Sequence, residues 1–380
     1  IRKCKFCGVP KLEGDQRDAP PITKVVRGII QDSGEKKDLI LMDNNVVASA
    51  NYKNIIAEIR DLGFQKGAKL ERNGKMIKRR VDFNQGVDAR ILCKDPMFLK
   101  EMSTIEISPL RIAFDHLGLK KQYSQAMQYS ADVGITNLSN YMLYNFHDSP
   151  ADLFERMRLN VTLNEELGIR IFSFPMRYQP TNLPHRYFVG KKWKRYTLRS
   201  MQIILQATHG IVSGAPDYFK HAFGNTYEQF QHILNRPQHF IFNRDWYERG
   251  EGKAEFEEYK SCYEALTENE IAELIDFLSR SFFDTFGEHG EKEGLKLSRP
   301  NLISAIKKYK NSKIRNMLNF YIPLDKDIER EIWDKQKENR ILRRTKGEVS
   351  EEDLVEDAGL YDEDFIPPEQ QSMKVKGKVA

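Results

Sequence analysis

DLILMDNN, residues Asp38 to Asn45, followed by NYKNIIAEIRDLGF, residues Asn51 to Phe64, is the stretch on which the fold turns. The apolar run Leu39 to Met42 stops abruptly at Asp43, Asn44 and Asn45, as a buried strand ending at a polar rim does. Tyr52, Ile55, Ile56, Ile59 and Leu62 then recur at helical spacing until Gly63 closes the segment. One strand followed by one helix is a unit, and the unit repeats. Arg80 to Phe83 leads into Asn84 and Gln85. Leu110 to Phe114 leads into Asp115 and His116, Tyr141 to Tyr144 into Asn145, and Ile171 to Met176 into Arg177. The ends fall about 30 residues apart, the length of a strand, a helix and two short loops.

Helices fit the gaps: Met97 to Ile105, Lys120 to Val133, and Ala151 to Leu167 behind the N-terminal signature Ser149, Pro150, Asp152. Upstream, Pro20 and Pro21 precede a short helix over Ile22 to Gln31. Five alternating units predict an α/β fold with a parallel sheet, barrel-like or doubly wound, whose ligands sit at the carboxyl ends of the strands. Asp43, Asn44, Asn45, Asn84, Gln85, Asp115, Asn145 and Arg177 would then ring one mouth. Each alone also reads as a cap or turn residue.

The chain opens on IRKCKFCGVPKLEG, Ile1 to Gly14, which holds Cys4 and Cys7, two of only four cysteines in 380 residues. Two thiolates three apart in a basic, Gly- and Pro-bearing loop reach one metal ion or cluster, but two rarely finish a site. Ile1 is not an initiator Met and the sequence begins inside this loop, so we read it as a fragment with further ligands upstream. Cys93 and Cys262 lie far apart and read as ordinary thiols. No disulfide framework is apparent, which suits a reducing cytoplasm.

Hydrophobic residues at 40% and charged residues at 30% describe a globular protein, and no apolar run approaches a membrane span. The net charge of +5 hides an asymmetry, because Gly347 to Gln370 carries acids and no Lys or Arg. Beyond Pro180 the segment NLPHRYFVGKKWKRY interleaves Arg186, Lys191, Lys192, Lys194 and Arg195 with Tyr187, Phe188, Trp193 and Tyr196, a pattern that suits phosphate and stacked bases or simple packing on the rim. Further helices are expected over Leu198 to Thr208, Pro216 to Phe223, Tyr227 to Leu234 and Glu268 to Phe283. The expected organisation is therefore a barrel-like part over residues 1–180, a mainly helical part over 181–325, and over 326–380 a charged helix with an acidic, disordered tail.

With these residues in view, the chain resembles radical S-adenosylmethionine (SAM) enzymes. Their 4Fe-4S cluster is held by CxxxCxxC in the loop after the first strand of a partial (β/α)6 TIM-like barrel. Cys4 and Cys7 match the second and third cysteines and Phe6 the aromatic residue before the last. The first cysteine would fall immediately before Ile1, and the first strand would be missing with it. The resemblance is closest to a functionally uncharacterised group that often carries a cobalamin-binding-like domain upstream. It spans Cys4 to about Phe240 through CKFCGVPKLEG, LMDNNVVAS, VDFNQGVDARIL, IAFDHLG, YMLYNFHDSPADLFERMR and PMRYQP.

The resemblance implies an enzyme that binds SAM at an open iron, cleaves it reductively and generates a 5′-deoxyadenosyl radical. An electron donor of flavodoxin or ferredoxin type is implied too, and cobalamin only through an upstream domain. The Gly-Gly-Glu motif that usually binds the SAM amino group is replaced by Asp43, Asn44 and Asn45. Asn84 and Gln85 would bond the carboxylate or ribose, Arg90 would offset the carboxylate charge, and Asp88, Asp115 and Asn145 complete the cofactor-binding set. Arg177 is the cation expected to meet an anionic substrate, with RNA admitted by the basic aromatic segment. Two competing readings are a zinc-binding nucleic-acid module, since CKFCG is also a zinc-knuckle sequence, and a non-catalytic barrel used as a scaffold.

Overall fold

Eight of the ten strands among the described residues frame the fold: β1 (Asp38–Leu41), β2 (Lys69–Arg72), β3 (Lys75–Lys78), β4 (Arg80–Phe83), β5 (Leu110–Arg111), β6 (Asn137–Tyr144), β7 (Arg170–Arg177) and β8 (Val212–Ser213). The computed structural model describes residues 4, 6–15, 17–18, 21–42, 44–183, 185–286 and 292–345. Strand β1 pairs in parallel with β4, Leu39 opposite Val81 and Leu41 opposite Phe83. Strands β5, β6 and β7 are parallel in that order, and β8 closes the edge antiparallel to β7. The two groups meet through single parallel bridges, Val81 with Ile107 and Val87 with Ile112.

Strands next to each other in space therefore follow one another in sequence, apart from the β2–β3 hairpin. That order lacks the reversal at which a doubly wound sheet changes direction. The protein is α/β with small sheets, none of them closed into a barrel among the described residues.

Alternation along the strands explains where the helices go. On β6, Leu138, Met142 and Tyr144 are buried, and Asn140 beside them donates from Nδ2 to the hydroxyl of Tyr123 at 2.6 Å. Helix Lys120–Asp132 supplies Tyr123, and helix Pro150–Leu167 supplies Asn160, which accepts from Tyr123 at 2.9 Å and donates to Ser173 of β7 at 2.8 Å. The chain of bonds pins two helices to two strands, with Asn140 Oδ1 left as its one buried acceptor without a partner among the described residues. Helix Pro150–Leu167 begins with the capping box Ser149–Asp152 and ends at Gly168 with φ 61°, as the sequence pattern predicts.

The other face of the sheet carries an ion pair among aromatic side chains. Asp82 of β4 accepts twice from Arg111 of β5, at 2.8 and 2.7 Å. The same guanidinium lies 5.7 Å from the ring centres of both Tyr141 and Phe174.

Differences from the sequence expectation are local. The helix after β1 is regular only over Tyr52–Ile59 and finishes in a wider turn over Arg60–Phe64, where Gly63 has φ 86°. The β2–β3 hairpin was not expected; it turns on Asn73 and Gly74, both with positive φ.

Beyond β7 the protein is mainly helical, beginning with Arg195–Ala207 and interrupted by β8 and by an antiparallel pair of short strands, Thr285–Phe286 and Lys292–Gly294. Two apolar cores are present. The first runs from Val46 to Ile241 and takes in helices Pro216–Phe223 and Tyr227–Asn235. The second gathers Phe240, Tyr259, Leu274, Ile314 and Ile332 with their neighbours. Helix Arg195–Ala207 serves both: Leu198, Met201, Ile203 and Ile204 belong to the first, and Tyr196 to the second. The expected charged helix is present as Lys326–Thr345, and the acidic segment Gly347 to Gln370 lies outside the described residues. Among the described residues no helix is long and apolar enough to cross a membrane.

Acid should loosen the helical part. Burial, helped by Arg236 and Lys260, lowers His232 to about 4, where its ring stacks 4.4 Å from that of Tyr263. Burial lowers His239 to about 4 as well. In the unfolded chain both titrate near about 6.5. Below that value the unfolded state takes up protons that the folded state refuses, so stability falls as pH drops from about 6.5 to about 4 and is insensitive to these groups above. Urea midpoints at pH 7, 5.5 and 4.5 should decline, and His232→Phe should blunt the decline; an equal decline in the variant would remove His232 as a source.

Candidate active site

A cavity of about 1050 Å³ opens at the carboxyl ends of the parallel strands. That volume is at the upper end of what small-molecule sites enclose. Each strand delivers its wall residues from the turn that follows it: Asn44 and Asn45 after β1, Gln85, Asp88 and Arg90 after β4, Asp115 after β5. Tyr141 and Leu143 of β6 and Met176 and Arg177 of β7 complete the far side, and Cys4, Phe6 and Cys7 face them from the opening segment.

That segment is held across the mouth by contacts at both ends of the sheet. A turn bonds Cys7 N to Cys4 O at 3.0 Å, and the short helix Val9–Leu12 follows. Phe6 packs edge-on against Phe146, just after β6, with ring centres 5.9 Å apart. Lys11 donates to Thr181 beyond β7 at 3.2 Å. At the other end Asn44 donates to Glu13 at 2.8 Å, and Ser49 to Asp18 at 2.7 Å. Cys4 and Cys7 are partly buried free thiols.

Asp88 and Arg90 form an ion pair on the wall. Asp88 accepts from Arg90 at both oxygens, at 2.8 and 2.7 Å, and also caps the backbone N–H of Arg90 at 2.9 Å. Burial pushes Asp115 up to about 6, against the pull of Arg156 beneath it and Arg90 beside it. Burial and then Asp115 raise the Cys4 thiol, with Arg90 working the other way. Cys4 therefore holds its proton at neutrality until a cation replaces it.

No family model, curated protein or solved structure matches this chain.

Of the sequence candidates, the cavity brings together Cys4, Phe6, Cys7, Asn44, Asn45, Gln85, Asp88, Arg90, Asp115 and Arg177. Asp43 lies outside the described residues. Asn84 is not on the wall; its carbonyl accepts from Tyr141 Oη at 2.9 Å, and its amide meets Met42 Sδ at 3.5 Å. Asn145 is not on the wall either, and its side chain is used inside the protein. It donates to the carbonyls of Tyr178 and Phe188, both at 3.2 Å, and accepts from Gly190 N–H at 2.7 Å. Asn145 is thus a latch for the loop after β7. Arg177 stays on the rim but donates to the carbonyls of Phe188 at 2.8 Å and Arg186 at 3.1 Å, and burial and then Arg195 bring it down to about 10.

The basic aromatic segment is largely occupied by its own packing. Trp193 and Tyr196 are buried in the two cores. Tyr187 stacks on Phe286 at 4.0 Å, and Lys194 pairs with Asp276 at 2.8 Å. Cys93 donates to the carbonyl of Gln122 at 2.8 Å, and Cys262 packs against the second core. Neither lines the cysteine cavity. Among the described residues no group of three His, Cys, Asp or Glu could hold a metal ion.

Sequence reasoning missed Arg156. It is buried on helix Pro150–Leu167 and donates from Nη1 to the carbonyls of Phe114, Asp115 and Leu143, at 3.0, 3.1 and 2.9 Å. Its Nη2 meets Asp148 at 2.9 Å. One guanidinium thus ties the ends of β5 and β6 under the cavity. The signal was its helical position between Phe154 and Met157, on the apolar face.

Proposed function

We propose that the chain is part of a radical SAM enzyme, its strands forming the curved sheet of a partial (β/α)6 barrel. The observation that carries this reading is the cysteine segment facing a large polar cavity at the carboxyl ends of parallel strands. Sequential strand order without a reversal supports the curved arrangement.

The residues fit the cofactors in part. Cys4 and Cys7 offer two of the three thiolates that a 4Fe-4S cluster with one open iron requires, and the described residues offer no third. The expected third ligand is the residue ahead of Ile1. When bound, cluster and SAM supply reductive cleavage of a sulfonium and a carbon radical that abstracts hydrogen.

The protein's own share is to bind, orient and exclude water. Phe6, packed on Phe146, fixes the turn that carries both thiols. Asn44 and Gln85 bring amides to the wall for an amino acid or ribose moiety. Asp115, with its proton exchanging near pH 6, is ionised at neutrality and accepts from an ammonium group. Asp88 and Arg90 neutralise each other, so the remaining arginines of the wall are Arg17 and Arg177, and Arg177 at the rim after β7 suits an acidic group of the substrate. Tyr141, Leu143 and Met176 give the far wall apolar surface that keeps water from reactive carbon.

The test is anaerobic reconstitution, with iron and sulfide, of a polypeptide extended ahead of Ile1. A brown protein with about four irons per chain is expected, and Cys4→Ala or Cys7→Ala should lose the iron. Dithionite and SAM should then release 5′-deoxyadenosine. A colourless protein carrying one zinc would sink this reading in favour of a zinc module. A stable cluster with no 5′-deoxyadenosine would leave a non-catalytic scaffold.

A further inference from the structure

A second cavity, of about 470 Å³, lies in the helical part between helix Arg195–Ala207, helix Gln238–Phe242 and the start of helix Lys326–Thr345. Its lining shares no residue with the cysteine cavity. The volume is inside the range that small ligands fill.

Three features of its walls are unusual together. Arg199, half-buried in the cavity wall, makes no hydrogen bond or ion pair among the described residues, although Arg177 and Arg195 stand close enough to repel it. A partly desolvated guanidinium without a counter-ion is costly, and an anion relieves it. Lys326 and Arg330 at the mouth, against one acid, Glu329, leave the opening cationic as well.

Aromatic surface comes next. Phe242 and Trp333 are 42% and 46% exposed and stack on one another at the lip, ring centres 5.9 Å apart and 17° from parallel. Exposed rings already aligned in this way offer an outer face to a further planar ring.

Polar groups with capacity to spare are the third feature. The amides of Gln206 and Gln238 line the cavity and have no side-chain bond among the described residues. His239 lines it too, its Nε2 buried without a partner. An unpaired cation, an aromatic platform and free amides together match one ligand chemistry.

We propose that this cavity binds a planar aromatic anion of up to mononucleotide size, its acidic group on Arg199 and its ring against Trp333 and Phe242. A nucleotide and an aromatic carboxylate share that chemistry, and the amides favour the nucleotide because its base edge offers donors and acceptors in the ring plane. The proposal does not depend on the cluster reading, since no cysteine takes part.

Calorimetric titration of the full chain with adenosine 5′-monophosphate, adenosine and 1-naphthoate tests it. The nucleotide should bind at least about tenfold more tightly than adenosine. Arg199→Gln should weaken it at least about tenfold, and Trp333→Ala at least about threefold. Both variants should melt as the wild type does, and the exposed Trp333 keeps the test usable if Arg199→Gln unfolds. Binding of 1-naphthoate alone, with the same loss in the variants, would assign the cavity to an aromatic acid and sustain the proposal. No binding of either anion, or affinity for the better probe unchanged in the variants, would overturn it.

Discussion

Arg156→Met should lower the stability of the fold by about 3–5 kcal/mol, seen as a fall in the urea midpoint at unchanged slope. Methionine fills most of the volume, so the effect is electrical rather than a cavity. The guanidinium serves the carbonyls of Phe114, Asp115, Leu143 and Asp152 and the carboxylate of Asp148. Removing it leaves a buried carboxylate held by the N–H of Phe146 at 3.0 Å and its own backbone N–H, with no cation beside it, and takes their donor from the strand-end carbonyls. Asp148→Asn in the same chain should recover part of the loss, because it removes the stranded charge. Arg156→Lys keeps the charge but has no planar fork to reach several acceptors, so it should fall between the two. A loss below about 1 kcal/mol for Arg156→Met would mean that the strand ends hold without it.

Asn145→Ala should cost about 2–4 kcal/mol and loosen the loop after β7. Three bonds disappear, to Tyr178, Phe188 and Gly190, in a place where water does not readily replace them. Asn145 also has φ 68°, a left-handed conformation that alanine adopts at a cost of about 1 kcal/mol. Asn145→Gly separates the two causes: it restores the backbone freedom and not the bonds, so it should recover only the smaller share. Protection of the Gly190 amide against hydrogen exchange reports the latch directly. If the Ala and Gly variants both matched the wild type there, Asn145 would not be holding the loop.

Asn145 also shows how far strand-end position can be read. A polar residue at the carboxyl end of a parallel strand was a fair candidate for the cavity wall, and Asn44, Gln85 and Asp115 are on it. Position fixes the end of the sheet but not which way a side chain turns, and the Asn145 amide found three backbone partners in the neighbouring loop.

The alternating order of strands and helices was legible because it rests on apolar runs and helical stripes, which are averages over many residues. The β2–β3 hairpin carried a clear signal in Asn73–Gly74, but strands of largely charged residues gave the periodicity little contrast. Arg156 was hidden for a different reason, since an arginine on a helix ordinarily marks the solvated face. The aromatic residues among the lysines of residues 182–196 left stacking on bases and packing on the rim both open, and for Trp193 and Tyr196 it is packing: they are core anchors placed between surface charges.

Helix Arg195–Ala207, shared between the two cores, has a last consequence. Tyr196 reaches Ser279 through its N–H at 3.1 Å and Arg236 through its hydroxyl at 2.8 Å, while Leu198, Met201 and Ile204 on the same helix are committed to the sheet side. A cut on either side of this helix would strand apolar surface on whichever half lost it. The two halves are therefore not interchangeable modules, and a new pair of chain ends would be better tolerated at the Asn73–Gly74 tip than anywhere along that shared spine.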